Sequence, residues 1–215
     1  MLYGNTITRH AIKILSGTVC ASLLTAIGAV SVSAAGQGNL TPPSNIPFEV
    51  KVPDDAVLFL IGHAFGSQNY VCLPAANGGF AFKLFTPEAT LFDDNTQQII
   101  THFNSVNPDK DDNGAVRATW QSSHDSSRVW AAATGHVTVR QDSIDWVRLA
   151  IVGRLPGPTG GDKLSGRTKF IQRINTVGGL ADPTLCASAT DVGRTFFSPY
   201  TADYLFYSEP TPPQL

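Results

Sequence analysis

The sequence of 215 residues carries little charge, because Asp, Glu, Lys and Arg together make up only 15% of it. Fifteen basic residues stand against seventeen acidic ones, which gives a formal net charge of −2. Binding of nucleic acid or of an anionic membrane surface requires an excess of basic residues on one face. The composition therefore argues against a nucleic-acid partner and against a membrane-surface partner.

The sequence also lacks the short motifs of several enzyme classes. It contains no G-x-S-x-G segment, no H-E-x-x-H segment and no closely spaced pair of cysteines. These motifs supply the nucleophile of α/β hydrolases and the ligands of common zinc sites. Serines beside His124, and the carboxylates of Glu88, Asp93 and Asp94, are close only in sequence, so they give hydrolysis little support.

Cysteine is scarce, and its three positions depend on how the N-terminus is interpreted. Arg9 and Lys13 precede an apolar run over 14–32, which ends in the small residues Ser33, Ala34 and Ala35. This layout predicts a cleaved signal peptide over 1–35 and a secreted or periplasmic protein. The alternative is an uncleaved anchor, which the small polar residues within the run disfavour. No second apolar run follows, so we expect no membrane span after cleavage.

Cleavage would remove Cys20 and leave Cys72 and Cys186 as the only pair. It would also leave thirteen basic and seventeen acidic residues, a net charge of −4. Because disulfides persist in oxidising compartments, we predict a bond between the two cysteines. The alternative is two buried free thiols.

The rest of the chain divides into a Pro-rich extended leader over 36–53, one domain over 54–208 and a Pro-rich tail over 209–215. Within the domain, short β-branched and aromatic runs are bounded by Gly, Pro, Asn or Asp, which is typical of strands. The predicted strands are 57–61, 69–73, 79–85, 98–103, 115–120, 128–132, 135–140, 168–174 and 200–207. The segment 144–155 fits a strand or a helical turn. We therefore predict an all-β antiparallel sandwich or barrel with at most short helical turns.

A set of ordered residues resembles a secreted bacterial and fungal family known as domain of unknown function 3455. The matching segments are Gln68-x-Tyr70-x-Cys72, Pro87-Glu88-Ala89, His102, Trp120, Asp125-Ser126-Ser127-x-Val129, Ile144-x-Trp146, Phe170 to Ile174, Cys186 and Pro199 to Tyr207. Three residues depart from the pattern: Phe80 replaces a Trp, Ser126 a Gly and Asp145 a Pro. The resemblance implies export, a compact domain and the disulfide, and it implies no reaction.

One loop has the opening of a calcium site. Asp109, Asp111 and Asn113 stand at the spacing of oxygen ligands, and Gly114 follows at the position of a sharp turn. The acidic ligand expected at position 12 is replaced by Trp120. The alternative is a solvated hairpin loop, in which the same residue types are common.

A second candidate site is a copper or zinc centre. His102 and His124 bracket an irregular segment, and Asp125 could orient one of the rings. This hypothesis predicts a metal-dependent extracellular enzyme. The alternative is that both are ordinary surface or hydrogen-bonded histidines.

The aromatic residues give the hypothesis that we favour. Tyr70, His102, Trp120 and His124 are the candidate residues of a site that binds a small molecule, a polysaccharide or an envelope component. The function predicted is therefore non-enzymatic binding, with the cofactor unknown. The alternative is that the aromatic residues form the core.

The last predicted strand has two distinct faces. Tyr200, Ala202, Tyr204 and Phe206 share one face, and Thr201, Asp203, Leu205 and Tyr207 share the other. Asp203 lies among apolar neighbours and needs a partner if it is buried. We predict a structural ion pair between Asp203 and Arg173.

Overall fold

The computed structural model describes residues 40–210, so the predicted signal peptide and residues 211–215 lie outside the described part. Eight antiparallel strands in these residues pair in sequence order, and the last pairs with the first to close a barrel. The strands are β1 (Val57–Pro74), β2 (Phe80–Phe92), β3 (Gln98–Val106), β4 (Val116–Ser122), β5 (Arg128–Val137), β6 (Trp146–Leu155), β7 (Phe170–Gly178) and β8 (Thr195–Ser208). The all-β prediction is confirmed, and of the two architectures the structure is the barrel.

The remaining regular structure consists of short 3-10 turns, at Phe48–Val50, Lys110–Asp112, Pro183–Leu185 and Ala189–Asp191 within the described residues. The segment 144–155, for which a strand and a helical turn were both considered, contains strand β6. Its Val147, Leu149 and Ile151 face the barrel core. Apolar residues at every second position therefore identify this segment as a strand, because a strand presents every second residue to one side.

The predicted faces of β8 are confirmed by the packing. Tyr200, Ala202, Tyr204 and Phe206 belong to the core cluster inside the barrel. Leu205 and Tyr207, on the opposite face, belong to a second cluster on the outside. Both faces of β8 are therefore buried along this part of the strand.

The outer cluster is covered by the leader. Ile46 and Val52 pack against Leu205, Tyr207 and their neighbours, and the side chain of Val50 is fully buried. The Gln172 Nε2 atom donates to the Val50 carbonyl over 2.7 Å. The described part of the leader is thus held against β7 and β8 by apolar contacts and by a buried hydrogen bond.

Two glycines allow long strands where the sequence indicated breaks. A Cβ at Gly66 would overlap the carbonyl oxygen of Glu88, and one at Gly135 would overlap that of Glu49. Only glycine permits such a close approach of two backbones. The runs 57–61 and 69–73 are consequently one strand, β1, and β5 likewise continues from 128–132 through Gly135 to Val137.

One end of the barrel is closed by the connection between β6 and β7. Leu164 in this connection is 2% exposed and packs in the core. The Asp125 carboxylate accepts hydrogen bonds from the backbone N–H of Lys163 and of Ser127. Burial opposes ionisation of Asp125, but these bonds hold its pKa at about 2. Asp125 therefore ties the β4–β5 turn to the segment that closes the barrel.

The turn residue Ser126 has a φ of 60°, in the left-handed region. Glycine adopts this conformation freely, whereas a residue with a Cβ is strained in it. We expect Ser126→Gly to raise the free energy of unfolding by about 0.5–1 kcal/mol, measured by urea denaturation. Ser126→Ala is the matched control, because it keeps the Cβ. Equal stability of the Gly and Ala variants would contradict this explanation.

The predicted disulfide between Cys72 and Cys186 is confirmed, with a Cα–Cα distance of 5.5 Å. Cys72 lies near the end of β1, and Cys186 lies in the long β7–β8 connection. The backbone of Cys72 also pairs with Gly193 and Arg194 in hydrogen bonds of 2.9 Å. The bond therefore fixes this connection onto the end of β1.

The disulfide spans 114 positions, so its loss releases a long loop in the unfolded chain. We expect the double variant Cys72→Ser, Cys186→Ser to lose about 2–5 kcal/mol of unfolding free energy. The far-UV circular dichroism spectrum should remain that of the barrel, because the β1–β8 pairing does not depend on the bond. A loss below about 1 kcal/mol would show that the connection is held by its other contacts.

Candidate functional site

A cavity of about 100 Å³ lies inside the barrel, on the interior faces of the strands. Seven of the eight strands contribute to its wall: β1 gives Gln68, β2 gives Leu84 and Pro87, β3 gives His102 and Asn104, β4 gives Ala118 and Trp120, β6 gives Val147 and Leu149, β7 gives Arg173 and β8 gives Tyr204. Leu84 is 47% exposed, so the wall reaches the protein surface beside β2. The cavity therefore combines a buried polar part with an accessible rim.

The centre of the site is an aromatic stack. The register of β3 and β4 pairs His102 with Trp120, and their rings are stacked at 4.2 Å with an interplanar angle of 12°. Tyr204 lies against both rings, with centroids 5.2 Å from His102 and 5.7 Å from Trp120. Neighbouring strands thus bring together two of the residues that the sequence singled out.

The His102 ring is neutral. It is 2% exposed, and its Nδ1 atom lies 2.9 Å from the Thr119 carbonyl oxygen, which can only accept. The ring proton is therefore on Nδ1, and Nε2 carries a lone pair. Burial lowers the pKa of His102 to about 3, the hydrogen bond to Thr119 works against this shift, and the charge of Arg173 adds to it.

Two buried donors in the wall of the cavity have no acceptor among the described residues. They are Gln68 Nε2 and Trp120 Nε1, on side chains that are 2% and 1% exposed. The Gln68 amide lies near enough to the Tyr200 hydroxyl to oppose the rise that burial causes in the pKa of Tyr200, but not in the geometry of a full hydrogen bond. Leaving a buried donor unpaired costs about 1–3 kcal/mol, so native proteins keep few of them. The cavity wall therefore holds two of the four buried side-chain polar atoms that lack a partner among the described residues.

Arg173 brings a positive charge to the same interior. Its Nε and Nη2 atoms donate to the backbone carbonyl of Asp145 over 3.1 and 2.9 Å. Arg173 is one of the residues that line the cavity, together with Gln68 and Trp120. The orientation of the Arg173 side chain is therefore fixed by the backbone carbonyl of Asp145, a residue that does not line the cavity.

The predicted ion pair between Arg173 and Asp203 is wrong. Arg173 is the cross-strand partner of Tyr204, whose side chain faces the interior, so the adjacent residue Asp203 points outward. There the Asp203 carboxylate accepts from Asn175 Nδ2 over 2.7 Å and contacts His63 Nδ1, also at 2.7 Å. Because side chains alternate along β8, the Asp203 carboxylate and the Arg173 guanidinium lie on opposite sides of the sheet.

His63 lies on the outer surface between two carboxylates. Its Nε2 atom is 2.9 Å from Asp94, and its Nδ1 atom is 2.7 Å from Asp203. The hydrogen bonds to Asp94 and to Asp203, in that order, raise the pKa of His63 above its ordinary value of 6.5 against the effect of burial. A protonated His63 therefore links β1 to the β2–β3 turn and to β8.

A histidine with a raised pKa stabilises the fold fully below its ordinary pKa of 6.5 and loses this contribution as the pH rises through the raised value. We expect the stability difference between wild type and His63→Gln to be largest below pH 6.5 and to shrink above it, measured by urea unfolding across pH. Asp203→Asn should reduce the same pH dependence. A difference that stays constant with pH would contradict the ionic link.

The other two predicted binding residues lie elsewhere. The Tyr70 hydroxyl donates to the Gly179 carbonyl over 2.6 Å, and its ring contacts Phe82 edge-on, so Tyr70 holds the start of the β7–β8 connection. His124 is exposed in the β4–β5 turn. The structure therefore brings His102 to Trp120 but does not bring His124 to His102.

The predicted calcium ligands are engaged in local turn structure. Asp109 accepts from the Asp111 backbone N–H over 3.0 Å, and Asn113 has a φ of 50° at the end of the 3-10 turn. Asp112, which was not a predicted ligand, accepts two hydrogen bonds from Arg117. Within residues 40–210, no group of three or more His, Cys, Asp or Glu side chains is arranged to hold a metal ion.

The sequence missed Gln68 and Arg173 as members of the site. Gln68 was noted only as part of a family segment, and Arg173 only as an ion-pair partner. A signal was present for Arg173, because it alternates in phase with Ile171, which is in the core. No comparable signal marks which interior polar groups lack partners, since that depends on packing across the barrel.

The fold and cavity define a closed eight-stranded antiparallel barrel with a polar interior site. A family model described as "Protein of unknown function (DUF3455)" matches residues 53–208, and the chain belongs to this family. No curated protein and no solved structure matches the chain. In the described residues, no helix has the length and apolar character needed to cross a membrane.

Proposed function

We propose that this protein is an exported, non-enzymatic module that binds a small molecule inside its barrel. The observation that carries the proposal is the pair of buried donors, Gln68 Nε2 and Trp120 Nε1, in the wall of one cavity. A ligand that accepts hydrogen bonds from them would recover the free energy that the ligand-free fold gives up.

The position of the tryptophans favours a small molecule over a polysaccharide. Polysaccharides stack on exposed aromatic faces, whereas Trp120 and Trp130 are 1% and 2% exposed. Trp146 packs against the outer apolar cluster. Trp120 and Trp130 therefore offer no exposed platform for sugar rings, and Trp146 is half-buried. The cavity is lined by none of the exposed aromatic side chains of the described residues, which are Phe48, Phe65, Phe85 and Phe197.

The separation of the two candidate metal ligands speaks against the alternative enzyme. His102 is buried in the aromatic stack, and His124 is exposed in a turn. A transition-metal site needs several ligands close to one point. Binding without chemistry is accordingly the function that the geometry supports best.

Export of the protein is supported by two independent features. The first is the signal-like sequence over 1–35, with its basic start and small-residue end. The second is the disulfide between Cys72 and Cys186, because such bonds persist outside the reducing cytosol. We therefore place the binding activity in the periplasm or outside the cell.

A cavity-filling variant tests the proposal. We expect at least one member of a panel of carboxylates, amides and alcohols of two to six carbons to raise the melting temperature of the wild type. Ligand at a hundred times its Kd adds about 2.7 kcal/mol, which is roughly 5–10 °C for a domain of this size. Ala118→Leu, which fills the cavity, should abolish the shift.

Ala133→Leu is the matched control, because it adds the same atoms at an exposed position of β5. This variant should keep the full ligand-induced shift. The proposal fails if no panel member stabilises the wild type, or if the ligand stabilises Ala118→Leu as much as it stabilises Ala133→Leu.

A further inference from the structure

We infer that the ligand of the interior site is a short aliphatic carboxylate, held at its charged end by Gln68, Trp120 and Arg173. This inference rests on the proposed function and adds the chemical class of the ligand. It is carried by the kinds of hydrogen-bonding groups in the wall, by the charge of the wall and by the size of the cavity.

Apart from the lone pair of His102 Nε2, the unpaired groups of the wall are donors. Gln68 Nε2 and Trp120 Nε1 have no protein acceptor in the described part of the chain. The guanidinium of Arg173 has five N–H groups, and two of them donate to the Asp145 carbonyl. The other three have no acceptor among residues 40–210. A carboxylate, which only accepts and has about four lone-pair sites, is the complementary group.

The charge of the wall is positive. Arg173 is the one ionised side chain among the residues that line the cavity, since the proton of His102 is bonded to Thr119 and the ring is neutral. The Asp145 carboxylate accepts instead from Thr138 and from His136 on the outer surface. No carboxylate lines the cavity beside the partly buried guanidinium of Arg173, so the wall favours an anion, because partial burial weakens the screening of the charge by water.

The size and the remaining wall limit the rest of the ligand. Besides its polar groups the cavity is lined by apolar side chains, among them Leu84, Ala118 and Leu149. Its volume of about 100 Å³ is smaller than the cavity of roughly 150 Å³ that admits benzene. These features suit a short, unbranched chain, with the rim at Leu84 as its route of entry.

The experiment compares butyrate with butyramide, which has the same shape without the charge, by isothermal titration calorimetry. We expect saturable 1:1 binding of butyrate, at least tenfold tighter than that of butyramide. In Arg173→Gln this preference should fall to less than threefold. Arg148→Gln is the matched control, because Arg148 also donates to a backbone carbonyl, that of Lys51, but lies on the outer face.

A second variant keeps the test decisive if Arg173→Gln does not fold. Trp120→Phe removes the unpaired N–H and keeps an aromatic ring in the stack, and we expect it to weaken butyrate binding at least threefold. Near-UV circular dichroism and the melting temperature establish that each variant is folded. Unchanged butyrate affinity in folded Trp120→Phe would overturn the placement of the carboxylate.

The outcomes separate the inference from the proposed function. If butyramide binds as tightly as butyrate, or if the preference persists in folded Arg173→Gln, the carboxylate assignment is overturned while interior binding stands. If neither compound binds, the inference is overturned, and the panel of amides and alcohols decides the proposed function. If butyrate binds Ala118→Leu as well as it binds the wild type, both are overturned.

Discussion

The pairing of β1 with β8 is the interaction on which the rest of the structure depends. It joins residues near the start of the domain, from Val57, to residues at its end, as far as Ser208. Without this ladder the sheet would have two free edges and no interior. With it, every strand has two neighbours, and alternate side chains are forced either into the barrel or out of it. The cavity, the aromatic stack and the outer cluster all follow from that division.

Much of the fold could be predicted because its determinants are local. The alternation of inward and outward side chains in β8 can be predicted from the sequence, since Tyr200, Tyr204 and Phe206 are separated by even numbers of positions. The disulfide followed from there being one remaining pair of cysteines. The division of β1 and β5 into shorter predicted runs has an equally local reason: Gly66 lies between two of the runs and Gly135 begins another, and only the folded chain reveals the backbones that approach them.

The candidate site could be predicted only in part, because its members come from seven strands. His102 and Trp120 were both singled out, but their stacking depends on the register of β3 against β4. The error at Arg173 and Asp203 has the same origin, since the phase of β8 was known and that of β7 relative to it was not. The group that holds Arg173 is the backbone carbonyl of Asp145, which any residue at that position would supply.

The order of the strands has a consequence for how the chain acquires its shape. Synthesis proceeds from the N-terminus, so β1 is made first and β8 last, and one side of β1 stays without its partner until almost the whole domain has been made. The disulfide between Cys72 and Cys186 likewise needs a residue that follows the first seven strands. A non-local ladder of this kind is slow to form, so the barrel closes only once the final strand is available.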